Sequence, residues 1–416
     1  MELAQQDVAI LSFEGPDPYS LVGGLGTRVT ELSGALALAG VETTLLFVGD
    51  PDRPPFERPA ANLTYRRWCQ WISAYHRGNV YDGEQGKIPD FTASVPPFVV
   101  DAIAQPAADR GRRVLVIAED WQTNWAAIEL DRILRERGLR DRVTIMWNAN
   151  NTYGFDAIDW GALTRAAQVT TVSRYMKFEL AARGIESLVI PNGIPDRVIG
   201  GPPDDLVRAA SAAFARRPLF VKVGRYDEDK RWMQAIDAFA ALRTEHPAAT
   251  LVVRGGREAY GEHVFARARE LGLSVEDVKV ASREPEPLIE ALAQSQAAIV
   301  NIRSFVPEEL LFALYHIADA VLANSGKEPF GLVGLEVMAA GGVAVTGATG
   351  EDYAEPFSNA IVCDTNDGRE LATYLSALLR DPQRAREMRR AGESTAERYR
   401  WSLILEIIAA KAAYAR

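Results

Sequence analysis

The run EPFGLVGLE places two acids, Glu328 and Glu336, eight positions apart around a short apolar stretch broken by glycines. An ionised carboxylate accepts hydrogen bonds at both oxygens, so it pairs well with the two hydroxyls of a vicinal diol. The stretch follows a candidate strand, DAVLANS, and opens a candidate helix, LVGLEVMAAGG, with Gly341 and Gly342 as terminators. Glu328 then falls in the loop before the helix and Glu336 about a turn inside it. The amides of Phe330, Gly331 and Leu332 lie at the helix start, where backbone donors have no intrahelical partner. Two acids around a nest of amides suit a ligand with two diols joined by a diphosphate, a nucleotide sugar. A helix with one acid at its N-terminus would account for either glutamate alone. It does not account for both together with the glycines.

Two further constellations bear on the same ligand. VGRYDEDKRW puts Arg225 and Lys230 five positions apart after a candidate strand. A diphosphate is held well by two cations, one a planar fork and one a point charge. The alternative is a solvated loop in which Asp227, Glu228 and Asp229 pair with these cations. VGGLGTRVTEL, with Gly23, Gly24 and Gly26, follows the first candidate strand and opens a helix. There the backbone could approach a phosphate or sugar oxygen closely, although a tight strand-to-helix turn would use the same glycines. The spacing is not GxGxxG, which disfavours a nicotinamide dinucleotide.

These loops need strands to carry them, and the apolar runs supply two series. VAILSF, TTLLFV, RVLVIA, RVTIMW and QVTTVS alternate with helical segments such as TRVTELSGALALAG. PLFVKVG, ATLVVRGG, AAIVNI, DAVLANS and VAVTGA then repeat the alternation, with helices such as WMQAIDAFAALRTEH between them. Nearly continuous apolar strands separated by helices imply parallel sheets covered on both faces. IPNGIPDRVIGGPPDD, near 191–205, has the Pro/Gly/Asp composition of a linker. The expected fold class is therefore α/β, with two Rossmann-like doubly wound domains facing each other across a cleft and ligands at the carboxyl ends of the strands. A closing amphipathic segment, WSLILEIIAAKAAYAR, lies beyond the second series.

Bulk properties narrow the function classes. The 416 residues carry 46 basic and 56 acidic side chains, a net charge of −10, which argues against a nucleic-acid surface. No apolar run approaches the length of a membrane span, and MELAQQDVAILSF lacks the basic and apolar regions of a signal peptide. Cys69 and Cys363 lie far apart with no CxxC or zinc spacing. A soluble cytoplasmic protein with reduced thiols is expected. Asp50-Pro51-Asp52 and Asp227-Glu228-Asp229 imitate metal sites but read as turn chemistry, so no metal is expected.

Taken together, the GGLG loop, the PNGI linker, VGR with its following lysine, the E-x7-E pair and the closing helix resemble retaining GT-B glycosyltransferases. The type is that of glycosyltransferase family 4, the group of the glycogen, sucrose and trehalose synthases. The resemblance spans nearly the whole chain. It implies an acceptor-side domain over 1–195, a donor-binding domain over 196–399, and a helix over about 400–416 that packs back on the first. It further implies that Arg225 and Lys230 hold the diphosphate, Glu328 the hydroxyls of the transferred sugar and Glu336 the ribose. The donor would be a UDP-, GDP- or ADP-hexose and the acceptor a small soluble sugar, polyol or sugar phosphate. The phosphate leaves with negative charge, which Arg225, Lys230 and the amides near Phe330 would stabilise without a metal, while Glu328 orients the sugar.

The acceptor side is less defined. AEDWQT resembles the HDWQT segment of starch and glycogen synthases with Glu119 in place of the histidine, and Asp120 and Gln122 follow a strand end. Where many relatives have a sugar-facing histidine, this chain has TIMWNANNTYGF, making Asn148 and Asn151 candidates to replace it, or simply turn formers. Glu14, Asp17 and Tyr19 lie between the first strand and the glycine loop. RWCQWISAYH spaces Trp68, Trp71, Tyr75 and His76 as on a helix, a pattern commoner in a core than in a sugar platform. His246, His263 and His316 fall in helical patterns without a catalytic neighbour. Two other classes fit less well. A nucleotide-sugar epimerase of similar architecture would act without an acceptor, and a non-catalytic sugar-nucleotide-binding module would lack one of the donor contacts.

Overall fold

The computed structural model describes residues 3–214 and 218–415. Met1 and Glu2 of the polar lead and Arg416 of the closing helix lie outside the described residues. The chain divides into two compact units, residues 1–195 with 399–416, and residues 196–398.

Unit 1 is built on an eight-stranded sheet in the order β3-β4-β2-β1-β5-β6-β7-β8. The strands are β1 (Gln6–Ser12), β2 (Thr43–Val48), β3 (Phe56–Ala60), β4 (Leu63–Trp68), β5 (Arg113–Glu119), β6 (Val143–Ala149), β7 (Gln168–Thr171) and β8 (Leu188–Val189). Every residue of β1 and β6 is buried, as a strand covered on both faces requires. All neighbours pair in parallel except β3 with β4. One face is closed by the helices Gly24–Leu38 and Trp401–Tyr414. Val29, Leu32, Leu36, Trp401, Ile404 and Ile408 pack there against Ile10, Leu45 and Leu115. The closing helix is anchored where Ile194 N–H donates to Tyr399 O (2.8 Å) and Trp401 N–H to Ile194 O (2.9 Å). The Trp401 ring lies so close to Gly193 that a Cβ there would meet it at 2.4 Å.

Unit 2 carries a seven-stranded sheet, β11-β12-β10-β9-β13-β14-β15. Its strands are β9 (Leu219–Val223), β10 (Thr250–Arg254), β11 (Val275–Val278), β12 (Ile299–Ile302), β13 (Ala320–Ala323), β14 (Ala344–Thr346) and β15 (Ala360–Val362). Every pairing in it is parallel. Its core stacks Trp232, Ile236 and Phe239 of the helix Trp232–Glu245, and Leu371 and Leu375 of the helix Gly368–Arg380, on Phe220, Leu251 and Ile361.

One stretch departs from its sequence reading. Arg67 and Trp68 end β4, and the only helix in RWCQWISAYH is the single turn Gln70–Ser73. Cys69 breaks the strand with a left-handed φ of 54°. Trp68 does pack, 5.1 Å from Phe98 and donating from Nε1 to Ser94 Oγ at 2.6 Å. Trp71 and Tyr75 do not, being 66% and 83% exposed. The aromatic spacing is therefore not a core stripe. Among the described residues, no helix is long and apolar enough to cross a membrane.

Removing the Trp401 ring by Trp401→Ala should destabilise unit 1 by about 3–5 kcal/mol, the usual loss for a buried tryptophan. Denaturant titration should show the loss in one transition; an unchanged midpoint would mean that the helix docks without its ring.

Candidate functional site

In unit 2 the chemistry gathers after β9 and β13, which lie side by side. Tyr226 is buried, its hydroxyl donating to Asn301 Oδ1 (3.0 Å), and Trp232 Nε1 donates to Arg225 O (2.7 Å). The backbone of Arg225 is thus fixed while its guanidinium stands 58% exposed, 4.0 Å from Asp227. Lys230 turns away from the acids of its own loop and donates to Glu328 Oε2 at 2.5 Å. The structure so joins two side chains that were expected to meet separate parts of a ligand. Gly326 N–H donates to Asp229 O at 2.6 Å, tying the two loops together beside this pair.

Glu328 is held through its backbone, with N–H donating to Thr349 Oγ1 (2.9 Å) and O accepting from Gly350 N–H (2.8 Å). Gly331 follows at φ 81°, a left-handed value suited to glycine, and is the N-cap of the helix Leu332–Ala339. Glycine offers no capping side chain, so this helix start carries the positive end of its dipole without a side-chain cap. Phe330 is buried with its ring 5.8 Å from Tyr353, so its side chain is part of the packing under this loop. Glu336 is half-buried one turn into the helix. Burial, and then the charge of Glu336, push the Tyr315 hydroxyl well above its ordinary pKa.

Sequence reasoning missed Glu351 in this neighbourhood. It is buried, and burial followed by the negative charge of Glu328 pushes its carboxyl up to about 8. TGEDY after β14 could have drawn attention, since it repeats the pattern of a strand end, a glycine and an acid.

In unit 1 the glycine loop has an internal ligand. Glu14 Oε2 accepts from the amides of Gly23 and Gly26, each at 2.9 Å, and of Val22 at 3.3 Å. Its other oxygen accepts from Tyr81 (2.5 Å). A Cβ at Gly26 would sit 2.9 Å from that carboxylate, so the glycine admits the protein's own acid. The amides of Gly23 and Gly26, expected to meet a phosphate, here donate to Glu14, and Glu14, expected on the acceptor side, here holds the glycine loop. Gly24 is the first residue of the helix.

Other acceptor-side candidates are also drawn inward. Glu119 ends β5 and pairs with Arg28 (3.0 Å), both side chains at most 2% exposed, and accepts from Asn148 (2.9 Å) and Asn150 (2.6 Å). Arg28 also donates to Asn192 of the linker. The Asn148 Oδ1 accepts from Thr170 (2.8 Å), so this side chain is consumed by the sheet rather than turned to a sugar. Asn151 donates to Asp120 (2.9 Å) and accepts from Tyr153 N–H (2.7 Å). Asp120 is buried at φ 63°, ψ 174°, a strained conformation for a residue with a Cβ. Burial raises its carboxyl to about 7 against the hydrogen bond from Asn150 N–H. Gln122 donates to Glu84 (3.0 Å), and its Oε1 is enclosed without a partner. The Tyr19 hydroxyl donates to His76 O (2.7 Å) and accepts from buried Lys87 (2.6 Å). Asp17 binds Arg67 through both oxygens at 2.8 Å. Of the acceptor-side residues, His76 keeps an exposed ring, 3.3 Å from Asp82. Trp121 and Tyr153, edge to face with ring centroids 6.0 Å apart, border Asp120 on the same loops.

The two acidic runs form turns, with Asp50 accepting from Asp52 N–H (2.9 Å) and Asp227 from Asp229 N–H (3.0 Å). Among the described residues, no group of three or more His, Cys, Asp or Glu is placed to hold a metal ion.

Glu119→Gln would leave Arg28 buried without its countercharge. A loss of about 3–5 kcal/mol is expected by urea titration, with partial recovery in Arg28→Met/Glu119→Gln. A change under 1 kcal/mol would mean that the network is solvated.

Comparison with known proteins places these features. Residues 204–395 match the family model described as glycosyl transferases group 1. Glycogen synthase of Mycobacterium tuberculosis H37Rv is 27% identical over 404 residues, covering 90% of this chain and 86% of that one. Alpha-maltose-1-phosphate synthase of Mycolicibacterium smegmatis is 27% identical over 231 residues, 52% of this chain and 54% of that protein. Among solved structures, sucrose-phosphate synthase from Thermosynechococcus elongatus superposes with TM-score 0.69 at 20% identity, covering 98% of both chains. Anabaena HepE in complex with UDP gives TM-score 0.65 at 16% identity, over 98% of this chain and 100% of the other. The fold is GT-B, and residues 204–395 are similar in sequence to the glycosyl transferases group 1 model.

Proposed function

We propose that this protein is a cytoplasmic, retaining glycosyltransferase that moves a hexose from a nucleoside-diphosphate sugar to an acceptor hydroxyl without a metal. The observation that carries the reading is the partly exposed Lys230–Glu328 pair beside a helix start without a side-chain cap, with Glu336 one turn further on. Arg225, 58% exposed on the same rim, supplies a second cation. The UDP bound to HepE, a neighbour in fold, supports a nucleotide donor.

In this reading the donor diphosphate takes Lys230 from Glu328 and adds Arg225. Glu328 is released to accept hydroxyls of the sugar, and Glu336 accepts those of the ribose. The bond between the anomeric carbon and the phosphate oxygen breaks as the acceptor oxygen attacks from the same face. The acceptor proton passes to the departing phosphate oxygen. Lys230, Arg225 and the amides at Leu332 stabilise the charge that accumulates there. Two fixed cations make a metal unnecessary. Unit 1 is assigned the acceptor, a small sugar, polyol or sugar phosphate, for which Tyr153, Trp121 and His76 are the accessible groups.

A nucleotide at 100 times its Kd stabilises a protein by about 2.7 kcal/mol, readily seen as a rise in Tm. One of UDP, GDP or ADP should raise the Tm, equally with and without EDTA. Glu336→Ala should weaken that nucleotide by about tenfold or more through loss of charged hydrogen bonds. Glu328→Ala should lower turnover while sparing nucleotide affinity. Unchanged nucleotide binding in Glu336→Ala would overturn the ribose assignment, and inversion at the anomeric carbon of the product would overturn retention.

A further inference from the structure

The turn after β14 is packed on the donor loop with no free space. A Cβ at Gly350 would lie 2.2 Å from both Glu328 O and Pro329 O, and one at Gly347 would lie 2.1 Å from Ser325 O. At Gly331 the missing Cβ is replaced by neighbours: Glu351 Cγ at 2.6 Å, Tyr353 Oη at 3.1 Å and Glu328 Cγ at 3.2 Å. The Tyr353 hydroxyl also donates to Gly331 O. Glu351 Oε2 accepts from Thr349 N–H (3.2 Å), and Thr349 Oγ1 accepts from Glu328 N–H (2.9 Å). Glu351 Oε1 is enclosed with no hydrogen-bond partner, in a residue only 6% exposed. A buried carboxylate oxygen without a donor costs more than a protonated carboxyl in the same place, because the neutral group gives up less hydration.

We infer that Glu351 is a positioning residue of the donor site, holding the segment Glu328–Gly331 in place as an uncharged acid. The inference rests on the donor-site reading above. The charged groups that face it are Glu328 and Lys230, the first raising and the second lowering its affinity for a proton. While Glu351 keeps its proton, Lys230 and Glu328 balance one another. Once it ionises, the three groups sum to −1, and a diphosphate meets repulsion where it needs a cation. Its carboxyl, pushed up to about 8 by burial and by Glu328, sets where this occurs.

The folded state holds the proton more tightly than the unfolded chain, so stability falls as pH rises from the ordinary glutamate range toward 8. Glu351→Gln keeps the shape and removes the titration.

The test measures Tm and the Kd for UDP, GDP and ADP between pH 6.5 and 9.5 in wild type, Glu351→Gln and Glu351→Ala. Glu351→Gln should gain Tm over wild type as pH rises. Wild type should lose nucleotide affinity on the order of tenfold across the range, while Glu351→Gln stays flat. Glu351→Ala should bind more weakly than Glu351→Gln at every pH, because the support under Gly331 is gone. If wild type binds none of the three nucleotides, the donor reading falls, and this role with it. If wild type binds and Glu351→Gln declines in parallel, only the role of Glu351 falls.

Discussion

A parallel sheet whose strand order reverses leaves a gap between two loops that leave it in opposite directions, and both units of this chain close that gap with an ion pair. In unit 1 the reversal lies between β1 and β5 and is spanned by Arg28 and Glu119. In unit 2 it lies between β9 and β13 and is spanned by Lys230 and Glu328. Ligands of doubly wound folds bind at such reversals because the loops there part and expose backbone and side chains together. Two units with the same strand order around the reversal thus place charge at the same point of their sheets.

The two pairs differ in water. Arg28 and Glu119 are sealed, surrounded by Asn148, Asn150 and Asn192, and separating them would strand two desolvated charges. That pair is architecture. Lys230 and Glu328 are 27% and 19% exposed, and Lys230 sits at the end of a flexible stem. A diphosphate can substitute for the carboxylate there with little loss of solvation. The difference separates a scaffold contact from one that a ligand can exchange, although both consist of a cation and an acid in contact.

The legible parts of the sequence were those in which one segment carries its own signal. The apolar runs of β1, β2, β5, β6, β9, β10 and β13 announced themselves because a strand buried on both faces tolerates little else. β11 (VEDV), with two acids at its centre, and the edge hairpin of β3 and β4 have no such run. Glu328, Glu336, Arg225 and Lys230 were visible because their spacing lies within single loops. Pairing was not legible. Glu14 meets Tyr81 across 67 positions, Arg28 meets Glu119 across 91, and Lys230 meets Glu328 across 98. No local pattern tells an acid that serves a ligand from one that serves an amide of its own chain. Asn148 shows the same limit: its place at the end of β6 was readable, but the carboxylate that claims it was not.

The closing helix gives the two units different histories. Residues 196–398 form a continuous segment, whereas unit 1 is completed only by 399–416. On the ribosome, the face of unit 1 formed by Ile10, Val29, Leu32 and Leu45 emerges early and waits uncovered. At 5–20 residues per second, the intervening unit takes roughly 10–40 s to synthesise. Unit 2 can finish folding within that interval. The time for which unit 1 stands without its last helix is therefore set by translation through unit 2, a region outside it.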